Sequence, residues 1–246
     1  MLEEARKLQS YVTGLRREFH ARPELSWQEV ETSRRIQAEL AALQIPFRVL
    51  GGTGVVGEIR GARPGPVFLL RADMDALSVT EETALPFASQ HPGKMHACGH
   101  DAHCAMLLLA ARLLQARAAS LAGTVRLVFQ PAEEVGQGAR KMVELGVLDG
   151  VCGAFSLHVW SGLPSGTVFI PDGPAFASAD LFTIRVHGKG GHGALPHEGV
   201  DAVVAGAAIV MQLQTLVSRE VNALNPTVVT VGAFARGTQY NVLADT

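Results

Sequence analysis

The spacing of hydrophobic and polar positions predicts helices and buried strands in alternation over the first 160 residues. Apolar residues recur at helical spacing in residues 2–19 and 26–43. Residues 67–75 and 124–129 carry apolar runs without alternation, which is typical of strands buried on both faces. The same criteria predict further strands at 47–50, 55–59 and 153–159, and further helices that end near residues 118 and 145.

The alternation of strands and helices predicts an α/β fold, with a largely parallel sheet flanked by helices over residues 1–177. The pattern changes after that point. Residues 180–187 alternate like a strand with one exposed face, and a long apolar helix is predicted within residues 196–220. Residues 226–234 read as another strand, and a further one begins at 240–243. Residues 178–246 are therefore predicted to form a small, incomplete α+β domain.

Composition narrows the functional classes. The 246 residues are 48% hydrophobic and 18% charged, which is enough apolar material for a globular core. The formal net charge is −2 and the basic residues are scattered, so we expect no nucleic-acid partner. Residues 1–12 lack the apolar core of a signal peptide, and the run 105–111 is too short to span a bilayer. The scattered charges and the short apolar run predict no membrane partner. Three cysteines without framework spacing favour a cytoplasmic protein.

One short segment concentrates metal-binding chemistry. Residues 94–104 hold three histidines and two cysteines, and Cys98 and His100 flank a single glycine in a loop that enters a helix. This spacing can direct a thiolate and an imidazole to one point, as a transition-metal site requires. Asp101 is predicted to cap the helix. The alternative is a buried structural cysteine beside a capped helix.

Other candidate ligands follow the predicted buried strands. Asp73 and Asp75 end one strand, Glu133 and Glu134 follow the next, and His158 lies in a third. The carboxyl ends of parallel strands meet at one edge of a sheet, where sites of α/β proteins form. One glutamate of the adjacent pair can bind a metal while the other addresses a water molecule. The alternatives are a solvated acidic loop for the glutamates and a packed core histidine for His158.

Taken together, these motifs resemble those of the N-acyl-amino-acid amidohydrolases. That family includes hippurate hydrolase and the auxin-conjugate hydrolases, and is a branch of the dimetal aminoacylase/carboxypeptidase superfamily. The resemblance covers essentially the whole chain. It rests on the segments FHARPELS (19–26), RADMDAL (71–77), MHACGHDAH (95–103), QPAEE (130–134), SLH (156–158) and GKGGHGALPH (188–197).

The resemblance implies a role for each matching residue of the metal centre. Cys98 matches a ligand that bridges two divalent metal ions, which could be zinc, manganese, nickel or cobalt. His100 and His158 match ligands of one ion, and Glu134 matches a ligand of the other. The remaining two roles are catalytic: Glu133 matches the general base, and Asp75 matches the acid that supports the metal cluster.

The resemblance also implies that residues 178–246 belong to a ferredoxin-like lid that forms a homodimer. His192 matches a lid histidine that reaches the active site of the partner subunit, where it acts in catalysis and substrate binding. Asn241 matches a lid asparagine near the substrate. The implied reaction is hydrolysis of the amide bond of a small N-acyl amino acid.

Two other interpretations stay open at this point. Family members are longer and supply another metal-binding histidine after the lid, so the chain could be a piece of a complete enzyme or a catalytically impaired fragment that still binds metal or dimerises. Alternatively, Cys98 could act as the nucleophile of an amidase with His100 as its base.

Overall fold

The computed structural model describes residues 1–174, 176–237 and 239–246. The chain divides into two compact units, Met1–Thr167 and Val168–Thr246. Each unit is described here by itself. The domain assignment of residues 1–177 and 178–246 stays a prediction.

The first unit is built on a five-stranded sheet in the order β1-β2-β4-β3-β5. The strands and helices of this unit are β1 (Phe47–Leu50), β2 (Gly54–Arg60), β3 (Arg63–Asp73), β4 (Ala122–Gln130), β5 (Val151–Ser156), α1 (Leu2–Lys7), α2 (Gln9–Ala21), α3 (Val30–Ala42), α4 (His100–Gln115) and α5 (Gly138–Glu144). The predicted α/β class is confirmed. The sheet is mixed. Strand β3 pairs in parallel with β4 and β5, whereas β2 pairs antiparallel with both β4 and β1. A turn of three residues links β1 to β2, and only antiparallel neighbours can be joined so briefly.

Alternate side chains of the central strands pack into two different hydrophobic clusters, so both faces of these strands are buried, as the apolar runs predicted. Val55 of β2 and Leu127 of β4 belong to the larger cluster, which also contains buried side chains of α2, α3 and α4. The next residue on each strand, Val56 or Val128, belongs to a smaller cluster with Met142 of α5. Successive strand side chains point to opposite faces, so helices cover both sides of this sheet.

The second unit contains α6 (Ala202–Thr215) and two short antiparallel strands, β6 (Gly191–His192) and β7 (Val242–Leu243). The helix and the strand near residue 242 were predicted. The predicted strands at 180–187 and 226–234 are wrong, because these segments have no ladder partner among the described residues. Leu181 is 94% exposed, so the alternating pattern finds no core to face.

The helix that starts at Ala202 continues as a π-helical turn to Glu220. Its 19 residues are long and apolar enough to cross a membrane by length and composition alone, and 11% of the apolar window is buried. Buried helices of soluble proteins meet the same length criterion, and the distinctive feature here is exposure of apolar side chains such as Met211.

Candidate metal centre

The parallel strands deliver the candidate ligands to one edge of the sheet. Asp73 is the last residue of β3 and pairs with Gln130, the last residue of β4. Glu133 and Glu134 follow β4, and His158 lies two residues beyond β5. As predicted, the residues that follow the carboxyl ends of these parallel strands lie at one edge of the sheet.

The cysteine–histidine motif enters this edge from the start of α4. Gly99 has a φ of 94°, and a Cβ at this position would lie 2.3 Å from the Cγ2 atom of Val159. Only glycine tolerates both conditions, which explains why Cys98 and His100 flank this residue. Gly99, not Asp101, is the N-cap residue of α4. The Asp101 carboxylate is instead buried against His20, at 2.8 Å.

Three overlapping groups of side chains place potential ligand atoms within 4.8 Å of one another, and His100 belongs to all of them. The groups are Cys98 with His100 and His158, Asp73 with His100 and His103, and His100 with Glu133 and Glu134. The four ligands that the resemblance implies, Cys98, His100, His158 and Glu134, all belong to these groups, whereas the candidate Asp75 does not. Asp73, a candidate ligand from its position at a strand end, and His103, three residues after His100, also belong to these groups.

Backbone carbonyls orient the two histidines. The His100 Nδ1 atom lies 2.9 Å from the backbone oxygen of Asp75, and the His158 Nδ1 atom lies 2.5 Å from that of Val159. A carbonyl can only accept, so each Nδ1 carries the proton and each Nε2 keeps its lone pair for a ligand. The His158 Nε2 atom is 3.3 Å from the Cys98 sulfur.

His103 differs from these two histidines. Its Nδ1 atom donates to Asp73 at 2.5 Å, and its Nε2 atom accepts the Val159 N–H at 3.0 Å. Both ring nitrogens are occupied, so His103 supports the site rather than offering a free lone pair. Burial by itself raises the pKa of Asp73, but the hydrogen bond from His103 and the charge of Arg71 lower that pKa to about 2.

Both carboxylate oxygens of Asp75 are occupied by hydrogen bonds from other parts of the chain. Its carboxylate accepts the backbone N–H groups of Glu133 at 3.1 Å and Glu134 at 3.0 Å, and the Ser26 hydroxyl at 2.7 Å. The side chain is completely buried. Asp75 therefore fixes the loop that carries both glutamates, and its backbone oxygen fixes His100.

The site carries an excess of negative charge that a cation would offset. Burial, followed by the charges of Glu134, Glu133 and Asp73, raises the pKa of the Cys98 thiol to about 12. A cysteine nucleophile needs a lowered pKa, so this environment is the opposite of what that interpretation requires. The sulfur also contacts His158 rather than the proposed base His100.

The residues present fit a divalent metal ion. The His100 Nε2 and Glu134 Oε1 atoms are buried and have no hydrogen-bond partner among the described residues, and they lie 3.7 Å apart. The Cys98 sulfur and the His158 Nε2 atom, which the resemblance assigns to one ion, lie 3.3 Å apart. Two ligands at 2.0–2.3 Å from one tetrahedral ion lie roughly 3.3–3.8 Å apart. Thiolate, imidazole and carboxylate together match the ligand chemistry of zinc and its neighbours.

The same family is indicated by comparison with known proteins. Residues 69–241 match the model of peptidase family M20/M25/M40. The chain belongs to this family. It is 47% identical to an N-acetylcysteine deacetylase of Bacillus subtilis (strain 168), over 94% of this chain and 62% of that protein. It is 45% identical to an N-acyl-L-amino acid amidohydrolase of Geobacillus stearothermophilus, over 94% of this chain and 63% of that protein.

A solved structure shares both the fold and the implied metal chemistry. The Bacillus subtilis YXEP protein, described as a dinuclear metal binding peptidase of the M20 family, superposes with a TM-score of 0.72 at 39% identity. The match covers 98% of this chain and 62% of that one. The chain thus spans less than two thirds of each of these three relatives. It is a member of a family of dinuclear metal peptidases and amidohydrolases.

The two remaining residues lie in the second unit. His192 is in β6, and Asn241 directly precedes β7; the Asn241 carbonyl accepts the Gly193 N–H at 2.9 Å. The His192 Nδ1 atom accepts the Ala194 N–H at 3.1 Å, which leaves the proton of the neutral ring on the exposed Nε2 atom. Their roles in catalysis and substrate binding stay predictions.

Proposed function

We propose that the protein containing this chain hydrolyses the amide bond of N-acyl amino acids. The observation that carries the proposal is the pair of buried, unpartnered atoms, His100 Nε2 and Glu134 Oε1, beside the Cys98 sulfur. Cys98, His100, His158 and Glu134 would hold two divalent metal ions. When bound, such ions supply Lewis-acid activation of water and of the substrate carbonyl. Zinc, manganese, nickel and cobalt all suit this donor set.

Glu133 is proposed as the general base. Its side chain is 41% exposed, whereas that of Glu134 is 17% exposed, so the two adjacent carboxylates differ in access to substrate. The Glu133 Oε2 atom lies 3.9 Å from the His100 Nε2 atom. Glu133 would take a proton from the attacking water and later deliver it to the leaving amine.

The test of this role is Glu133→Gln in a protein that contains this chain, assayed on N-acetyl amino acids. We expect metal content equal to that of the wild type and turnover lowered by at least about 10²-fold, which is the scale of general base catalysis. The conservative variant Glu58→Gln, which changes a partly buried glutamate of β2, is the matched control. Turnover in Glu133→Gln equal to that of the control would exclude Glu133 as the base.

We further propose a homodimer in which His192 of one subunit serves the site of the other. The exposed Nε2–H of His192 is a suitable donor to the oxyanion of a tetrahedral intermediate, and Asn241 would contact the substrate. Support for dimerisation comes from the exposed apolar side chains of α6, such as Val204 and Met211. A cytoplasmic location is proposed from the three free cysteines.

A further inference from the structure

Glu29 is a buried acid outside the metal centre whose hydrogen bonds reach it. Its side chain is completely buried directly before α3. The Oε1 atom accepts two backbone N–H groups, from Trp27 at 3.0 Å and from Ala132 at 2.8 Å. The Oε2 atom accepts the Thr53 hydroxyl at 2.8 Å. One carboxylate therefore ties three separate segments of the chain together.

Both N–H groups on Oε1 belong to residues with an unfavourable backbone conformation. Trp27 has a φ of 65° and Ala132 has a φ of 50°, and neither is glycine. The left-handed region is unfavourable for a residue with a Cβ. Such residues persist when surrounding contacts determine their conformation. The shared acceptor on Glu29 is such a contact for both.

Ala132 directly precedes the two glutamates of the metal centre. Its N–H binds Glu29, and the next two N–H groups, of Glu133 and Glu134, bind Asp75. Three consecutive amides are thus held by two buried carboxylates. On the opposite side, the Ala132 carbonyl accepts the Gly138 N–H at 3.0 Å, which closes the loop.

A second contact links the Trp27 turn to the same loop. The Trp27 indole N–H donates to the Gln137 side-chain oxygen at 3.2 Å. The left-handed conformation of Trp27 depends on the same Glu29 oxygen that holds Ala132. Glu29 therefore acts on both ends of the segment from Ala132 to Gln137.

We propose that Glu29 is a positioning residue for the metal centre: its Oε1 atom holds Ala132 in the left-handed conformation that aims Glu133 and Glu134. This inference rests on the proposed function only in assigning metal binding to Glu134 and general-base chemistry to Glu133. The contribution comes from an acceptor oxygen rather than from a charge. Glutamine keeps that oxygen, and its amide can donate to the Thr53 hydroxyl, which also accepts.

The experiment compares three variants. Glu29→Met keeps the length of the side chain but removes the acceptor, and Glu29→Gln keeps the acceptor. Thr53→Val removes the one partner that Oε2 has among the described residues and does not change the loop. Hydrogen exchange of the Ala132 amide is measured in metal-free protein. Co²⁺ affinity is then measured by absorption titration with the metal alone.

We expect Glu29→Met to speed exchange of the Ala132 amide by at least about tenfold and to weaken Co²⁺ binding by about 10–100-fold, the range for partners that orient metal ligands. Glu29→Gln and Thr53→Val should stay within about threefold of the wild type in both measurements. A folded Glu29→Met variant with wild-type exchange and affinity would overturn the proposal. So would a Glu29→Gln variant as impaired as Glu29→Met, because charge rather than the acceptor would then matter.

If Glu29→Met does not fold, a measurement on the wild-type protein tests the proposal instead. Scalar coupling across the hydrogen bond from the Ala132 amide to the Glu29 carboxyl carbon supports the proposal, and its absence overturns it. Failure of the proposed function can be distinguished from failure of the proposed role of Glu29. A wild-type protein that binds no Co²⁺ refutes the metal centre, whereas Ala132 exchange, measured without metal, still decides the role of Glu29.

Discussion

Replacement of Asp75 by asparagine tests how the glutamate loop is held. The two carboxylate oxygens accept three hydrogen bonds, two of them from the backbone of Glu133 and Glu134. Asparagine replaces one oxygen with an NH2 group, so at least one buried backbone N–H then faces a donor. An unsatisfied buried donor costs about 1–3 kcal/mol, and a hydrogen bond to a charged acceptor contributes about 1.5–3 kcal/mol. We therefore expect a loss of about 2–4 kcal/mol in the free energy of unfolding.

Urea unfolding of metal-free protein at pH 7 measures this loss without any contribution from metal binding. The matched control is Asp149→Asn, which makes the same chemical change at an exposed position. The reasoning is refuted if Asp75→Asn and Asp149→Asn have unfolding free energies within about 0.5 kcal/mol of each other, since surface substitutions usually fall within that range.

Two further predictions concern the buried network of α2 and the exposed face of α6. The hydrogen bond to Asp101 raises the pKa of His20, burial opposes the shift, and a second bond to Glu81 adds to it. The hydrogen bonds of protonated His20 therefore stabilise the folded state fully below the unfolded pKa of about 6.5, and this stabilisation is lost as the pH rises through the folded pKa. We expect His20→Gln to lower the free energy of unfolding by about 1.5–3 kcal/mol at pH 6 and by less at pH 9. A loss that does not vary with pH in urea unfolding would contradict this prediction. Met211→Glu should shift sedimentation from dimer toward monomer while Gln212→Glu does not, and a monomeric wild type would remove the basis for the α6 interface.

Much of the metal centre could be predicted because strand ends are visible in sequence. The apolar runs locate β3 and β4, and polar residues that follow such runs must meet at one edge of a parallel sheet. His158 could be included because it was predicted to lie in the next strand, at 153–159; the structure places it two residues beyond the end of that strand. The resemblance of whole motifs then implied which of these residues are metal ligands.

The contacts that hold the site could not be predicted in the same way. Glu29 bonds to a residue 103 positions away, and nothing in the local pattern around Ala132 announces a left-handed backbone at an alanine. Asp101 looked like a helix cap, but the cap position belongs to Gly99 because the loop approaches Val159 too closely for a Cβ. Alternation alone also failed at residues 180–187, since a strand depends on a partner that its own sequence does not specify.

The proposed metal centre requires Cys98 as a ligand shared by two metal ions. Co²⁺ titration of metal-free protein tests it directly, because a cobalt–thiolate bond gives an absorption band that imidazole and carboxylate ligands do not. We predict close to two ions per chain and a thiolate band, both diminished in Cys98→Ser but not in Cys152→Ser, which changes an exposed cysteine. Tight binding with no thiolate band, or binding unaffected by Cys98→Ser, would contradict the account.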